Sequence, residues 1–235
     1  MYVAVISDIH ANLTALKAVL LDINKRYGKN IFIINLGDCI DYGMRPNETI
    51  EILANLKNII VNIQGNHERA LCGFELDRFS SERGYNANCY TKSILNSNSK
   101  DFLNKMGKKY VELELYKQKI LCIHGDLNDI YWGKMNDDEI KKQEYEKYNY
   151  IFSGHTHIPS LRNVINKNKL HRTIFINPGS IGQPRNLNPC AQYCIINLKN
   201  SEVFFNSVRY DINLEQSFYK GEIDEYYKNR LVNGI

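Results

Sequence analysis

Five of the six histidines in this 235-residue chain fall in short clusters with Asp, Asn or Gly: Asp8-Ile9-His10, Gly65-Asn66-His67-Glu68, His124-Gly125 and Gly154-His155-Thr156-His157. A further cluster, Gly37-Asp38-Cys39-Ile40-Asp41, lies between the first two. Oxygen and imidazole donors without thiolates suit a pair of borderline-hard divalent cations better than a structural zinc. Asp8 and His10 stand at i and i+2 and can point to one side of an extended strand end, although a strand-end Asp can equally cap the next helix. Gly37 lets the backbone at Asp38 approach a metal closely. A carboxylate there can bridge two cations, which at ~3.5–4 Å apart can hold a shared hydroxide. An ordinary Gly-Asp turn is the alternative. Asp41, one step further along, could orient a neighbouring imidazole.

Asn66 offers an amide oxygen. His67 beside it would overhang the same metals without binding them, where a general acid can protonate a leaving alkoxide. Alternatively, Asn66 forms a turn and His67 begins a helix. His124, His155 and His157 add three imidazoles, and the last two are spaced so that each could serve a different metal. The sixth, His171, sits among Lys167, Lys169 and Arg172 and reads as a solvated surface residue.

Each cluster follows a short apolar run, so strands must deliver them. Val3–Ile6, Ile31–Leu36 and Ile59–Ile63 read as buried strands. Leu13, Leu16, Leu20 and Ile23 recur at helical spacing, predicting a helix over Ala11–Arg26 that ends near Gly28. Pro46 reads as the first-turn proline of a helix running to Leu56. This β-α-β-α-β order implies a largely parallel sheet with ligands gathered beyond the carboxyl ends of its strands. Further on, Arg69–Asn88 is irregular and Cys89–Met106 reads as a helix. Tyr110–Leu115 and Ile120–Ile123 form a hairpin. Asp137–Lys147 reads as a solvated helix and Leu214–Leu231 as a closing helix. Tyr150–Phe152, Thr173–Ile176, Tyr193–Asn197 and Val203–Val208 read as strands. The expectation is one domain over 1–235, with an inserted helical cap region near 69–106.

Composition bounds the class. A 43% hydrophobic and 24% charged chain is globular, and a net charge of +4 spread along it gives no strong nucleic-acid footprint. No stretch approaches the ~18 apolar residues of a membrane helix. The six cysteines form no CxxC pair, and with no export signal they read as reduced thiols in a cytoplasmic protein.

The ordered set Asp-x-His, Gly-Asp-x-x-Asp, Gly-Asn-His-Glu, His-Gly and Gly-His-x-His resembles the calcineurin-like metallophosphoesterase superfamily, and most of all its small bacterial and archaeal phosphodiesterase branch, from residue 1 to about residue 210. The resemblance implies an α/β fold, a two-sheet β-sandwich flanked by helices in four αββα layers. It implies a first metal on Asp8, His10, Asp38 and His157 and a second on Asp38, Asn66, His124 and His155. His67 would be the acid and Asp41 its orienting partner. Manganese is the first expectation for the two divalent ions, with Fe, Zn, Ni or Mg as alternatives. The segment Asn177-Pro178-Gly179-Ser180-Ile181-Gly182-Gln183-Pro184-Arg185 also resembles one in this branch and ends in a phosphate-capable Arg185; a Gly/Pro-rich turn is the alternative. Asp126 departs from the pattern, because small or apolar residues are frequent at that position.

The resulting expectation is a small phosphoester substrate, possibly a nucleotide, whose phosphodiester is attacked directly by the shared hydroxide. A phosphatase or dinucleoside polyphosphate hydrolase on the same site is the nearest alternative. A non-catalytic protein-binding scaffold of the same fold is the third, and such a scaffold would be expected to lack His67.

Overall fold

The computed structural model describes residues 1–165 and 172–235, so the expectation for His171 lies outside the described residues. The first part alternates as its apolar periodicity requires: β1 (Tyr2–Ile6), α1 (Leu13–Tyr27), β2 (Phe32–Asn35), α2 (Pro46–Asn55) and β3 (Ile59–Asn62). Asn12 caps α1 by accepting the Ala15 N–H at 3.0 Å, which leaves Asp8 free of any capping role. Pro46 opens α2.

Three helices follow: α3 (Asn66–Leu71), α4 (Glu82–Ile94) and α5 (Ser97–Lys105). The helix expected over Cys89–Met106 is thus two, because Asn96 leaves the first and caps the second by accepting the Ser99 N–H at 2.8 Å. Half of α4 lies in the stretch expected to be irregular. Next come β4 (Val111–Leu115), β5 (Gln118–Cys122), β6 (Tyr150–Phe152), β7 (Ser160–Ile165), β8 (Arg172–Asn177), β9 (Ala191–Asn197) and β10 (Glu202–Val208). The chain ends in α6 (Ile212–Gln216) and α7 (Glu225–Asn233). Two short helices therefore replace the expected Leu214–Leu231 helix, with Gly221 at φ 96° between them. Strand β7 escapes the apolar-run criterion because it alternates half-buried and exposed residues and carries Arg162 and Asn163.

The strands form two mixed five-stranded sheets, ordered β10-β9-β1-β2-β3 and β4-β5-β6-β8-β7. β1, β2 and β3 run parallel in the first, as do β5, β6 and β8 in the second. Val3, Val5, Ile34 and Leu36 face Cys122, Phe152, Ile174 and Ile176 across the sandwich. The alternate residues Ala4, Ile6 and Ile33 pack outward on Leu16, Val19, Ile50 and Leu53 of α1 and α2. The outer face of the second sheet, with Leu121, Ile151 and Phe175, is covered by Ile140, Tyr145 and Tyr148. Ile140 and Tyr145 belong to two 3₁₀ turns, Glu139–Lys141 and Gln143–Tyr145, where a solvated helix was expected, and Tyr148 follows them. Glu139 is buried there and accepts the Tyr145 hydroxyl at 2.7 Å and the Asn128 amide at 2.8 Å.

Among the described residues no helix is long and apolar enough to cross a membrane. All six cysteines are unpaired.

Candidate active site

The parallel strands of both sheets end at one edge, and the loops beyond them are stitched together by backbone hydrogen bonds. Asp8 N–H donates to Gly37 O at 3.0 Å and His10 N–H to Asp38 O at 2.9 Å, continuing the β1–β2 pairing into the loops. Gly154 N–H donates to His124 O at 2.9 Å, and Gly182 N–H to Asp8 O at 3.0 Å. In these loops Asp8, His10, Asp38, Asp41, His155 and His157 all adopt left-handed backbone, with φ between 48° and 66°. That conformation costs L-residues about 1–2 kcal/mol each, so tertiary contacts must impose it. Gly37 has a different use from the one expected. A Cβ there would lie 2.4 Å from the Gly65 nitrogen, so the glycine admits the neighbouring loop's backbone.

Among the described residues, the loops bring together the candidate ligands, His67, Asp41 and Arg185, but not Asp126. Asp8, His10, Asp38 and His157 form one group whose potential ligand atoms lie within 4.8 Å of one another; Asp38, His124 and His155 form a second. The Asn66 amide oxygen joins the second group, 3.1 Å from His124 Nε2 and 3.0 Å from His155 Nδ1. Asp126 turns away and accepts the Asn128 and Asp129 N–H groups at 2.9 Å, organising its own loop.

The hydrogen bonds decide which ring atoms face the centre. His10, His124 and His157 each place Nδ1 on a backbone carbonyl, of Ile40 at 3.0 Å, Leu36 at 2.7 Å and Gln183 at 2.6 Å. A carbonyl can only accept, so each Nδ1 carries a proton and each Nε2 is the ring atom turned inward, able to ligate once it bears no proton itself. His10 Nε2 and His157 Nε2 then face each other at 3.1 Å. Both oxygens of Asp8 are buried without a hydrogen bond, and His157 Nε2 is 3.2 Å from one of them. Converging lone pairs around an orphaned buried carboxylate are what a divalent cation would satisfy. The residues present fit the metal that this donor set implies.

Electrostatics agree. Burial and neighbouring imidazoles push His10 well below its ordinary range, and burial with the His124 charge takes His155 down to about 3. Burial pulls His124 down too, but the Asp38 carboxylate overcomes this and lifts it to about 9. In the absence of metal, a proton on His124 therefore supplies the charge beside Asp38.

His67 sits apart from both groups. Its Nδ1 is 2.6 Å from Asp41 Oδ2, and its Nε2 is 3.9 Å from Asp38 Oδ2. Burial lowers its pKa, yet the Asp38 charge and the Asp41 hydrogen bond raise it on balance. Asp41 Oδ2 also accepts the Asn88 amide at 2.7 Å, a contact from α4 that no local pattern announces. Glu68 is a second omission of the sequence reading. Its carboxylate accepts the N–H groups of Asp38 at 2.9 Å, Cys39 at 2.7 Å and Gly65 at 2.8 Å. The third-position Glu of a capping box was legible in Gly65-Asn66-His67-Glu68; its reach to a second loop was not.

The segment ending at Arg185 scaffolds the centre. Ser180 Oγ donates to Asp8 O at 2.7 Å, and the Gln183 carbonyl orients His157. Arg185 lines the same cavity, about 470 Å³, as Asp38, Asn66, His67, His155 and His157. Cys39 takes no part as a ligand: its thiol accepts the Asn35 amide at 3.1 Å, and burial pushes its pKa well up.

Comparison with known proteins agrees with this geometry. Residues 1–201 match the model of the calcineurin-like phosphoesterase superfamily domain. The chain is 32% identical to an uncharacterized protein of Methanocaldococcus jannaschii, MJ0912, over 99% of this chain and 98% of that one. A metallophosphoesterase from Sphaerobacter thermophilus superposes with a TM-score of 0.78 at 28% identity, covering all of both chains. The hypothetical protein PH1004 from Pyrococcus horikoshii OT3 shares the fold, with a TM-score of 0.84 at 20% identity over 100% of this chain and 98% of that one. Histidine and carboxylate clusters at the ends of two facing parallel strand sets, together with these matches, make the chain a member of the calcineurin-like phosphoesterase superfamily.

Proposed function

We propose that the chain hydrolyses a phosphodiester on a pair of divalent metal ions, with His67 as general acid. The observation that carries this reading is the His67–Asp41 contact of 2.6 Å beside Asp38, the carboxylate common to both ligand groups. Asp8, His10, Asp38 and His157 would hold one ion, and Asp38, Asn66, His124 and His155 the other. Such ions, manganese first, supply Lewis-acid charge for the phosphoryl oxygens and an activated water.

The protein's own residues divide the remaining work. Asp41 holds the proton-bearing Nδ1 of His67, so Nε2 is the atom that presents a proton to the leaving oxygen. Arg185 offers a guanidinium to a phosphoryl oxygen in the same cavity. A cavity of about 470 Å³ has room for substituents on both ester oxygens, more than a bare phosphoryl group needs. Helices α3–α5 form the inserted cap of a single domain over 1–235, and the chain between α3 and α4 contributes Phe79 to the cavity wall.

The test is turnover by metal-stripped protein reloaded with Mn²⁺, on an aryl phosphodiester, the matching monoester and a dinucleoside polyphosphate. Preference for the diester is expected. Preference for either other substrate would replace the diester assignment, and no turnover of any with both ions bound would favour a binding scaffold.

A further inference from the structure

Two aromatic rings that chemistry at phosphorus does not require stand over the ligand groups. Phe79 lies in the chain between α3 and α4, and Trp132 in the loop that follows β5. Their rings meet edge to face, with centroids 5.5 Å apart and planes at 87°. Phe79 is 5.3 Å from the His67 ring and Trp132 is 6.0 Å from that of His155, so the pair spans the site. Both are half-buried and both line the cavity.

The indole is held in place by polar contacts at its edge. Trp132 Nε1–H donates to Glu75 Oε2 at 2.8 Å, and its backbone N–H donates to Asp129 Oδ1 at 3.2 Å. Arg78 pairs with both Asp129 and Glu75 and places its guanidinium carbon 5.3 Å from the indole centroid. With its N–H satisfied outside the cavity lining, the ring offers that cavity an apolar body at little further entropic cost.

The charged residues of the wall are mostly cationic. Asp38 is the one carboxylate in the lining, against Arg78, Lys134 and Arg185. Arg78 is engaged by its two carboxylates. The side chains of Lys134 and Arg185 have no hydrogen bond or ion pair among the described residues, and the Arg185 Nε is buried without a partner. Arg230 adds to this field: burial and the Arg185 charge together pull its guanidinium down to about 10.

We infer that the substrate is a nucleotide, a phosphodiester whose leaving group is a nucleoside with its base against Phe79 and Trp132, and which carries a second phosphate bound by Lys134 and Arg185. This rests on the diester reading above. The base belongs to the leaving group because Phe79 adjoins His67, the residue that would protonate the leaving oxygen. Hydrolysis forms one P–O bond from water, breaks the bond to the nucleoside oxygen and passes the His67 proton to that oxygen. The products are a nucleoside and a phosphomonoester that keeps the second phosphate.

The test measures kcat/KM of the manganese-loaded protein for an aryl phosphodiester, a dinucleotide, its 5′-phosphorylated form, and an analogue lacking the leaving base. The dinucleotide should exceed the baseless analogue by about tenfold or more, the size of one base–aromatic stack. The 5′-phosphorylated form should exceed the dinucleotide. Trp132→Ala should bring the first ratio close to one, whereas Trp132→Phe should keep most of it. Lys134→Ala should lower the second. Turnover of the aryl diester with equal rates for the dinucleotide and its baseless analogue would overturn the substrate class alone. Inertness toward every diester would remove the underlying reading as well.

Discussion

The Glu68 carboxylate accepts the backbone N–H of Asp38 at 2.9 Å, and so one side chain on α3 fixes the loop that carries the shared ligand of both groups. The same carboxylate takes Cys39 and Gly65, so three donors from two loops converge on it. Glu68→Gln turns an amide N–H toward at least one of these donors. The expected cost is about 1–3 kcal/mol of stability, the penalty for an unsatisfied buried donor, together with reduced metal content. Urea unfolding and elemental analysis read the two effects, and a variant as stable and as metal-rich as the parent would show that Glu68 has no such role.

Tyr42 lies between the centre and the chain's last helix. Its ring centroid is 4.6 Å from those of His10 and His67, and 4.2 Å from Tyr227 of α7 in a stacked arrangement. The Tyr42 carbonyl also accepts the Tyr219 hydroxyl at 2.8 Å. Tyr227→Ala should cost about 3–4 kcal/mol, as expected for emptying a buried aromatic site, and should lower turnover through Tyr42. Tyr227→Phe, which keeps the stacked ring, should retain turnover. Urea unfolding and steady-state kinetics of both variants check this; full turnover in the alanine variant would sever α7 from the site.

The β-α-β-α-β half was legible because β-branched runs and 3.6-residue periodicity act locally. The Glu139–Tyr145 region misled because its charges look solvated, while Glu139 is in fact buried on partners up to eleven residues away. The metal-type donors were legible as clusters at strand ends. Their left-handed backbones were not, since Asp and His, though enriched at positive φ, take it only where tertiary contacts impose it. Asn88 and Tyr227 reach the site only through tertiary packing, and no spacing could announce them.

The pH dependence follows from His67. Its pKa is raised on balance by Asp38 and Asp41 against burial, so it keeps its proton above its ordinary range. Activity that needs this proton is present at lower pH and lost as pH rises through the shifted value. Asp41→Asn removes one of the groups that raises it, so the alkaline limb of kcat/KM should move to lower pH. A limb that stays in place would separate Asp41 from His67's titration.

Metal binding should be linked to protons. His124 holds one up to about pH 9 in metal-free protein, and a ligand must release it. Titration of Mn²⁺ into metal-free protein at neutral pH should therefore release protons, seen as a dependence of the binding heat on buffer ionisation enthalpy. Asp38→Asn should take up less metal. The depressed His10, His155 and His157 add that metal-free protein loses stability as pH falls below about 6.5, where the unfolded chain binds more protons. Proton-independent binding or acid-insensitive stability would contradict this arrangement of charges.

The most direct test of the central claim is His67→Ala on two phosphodiesters, one with a nitrophenol and one with an alkyl alcohol as leaving group. Elemental analysis should find parental metal content. Turnover of the alkyl diester should fall by roughly 10²–10⁴, the usual worth of a general acid, and that of the nitrophenyl diester far less, because nitrophenolate leaves without a proton. An equal fall for both substrates, or none for either, would contradict the account.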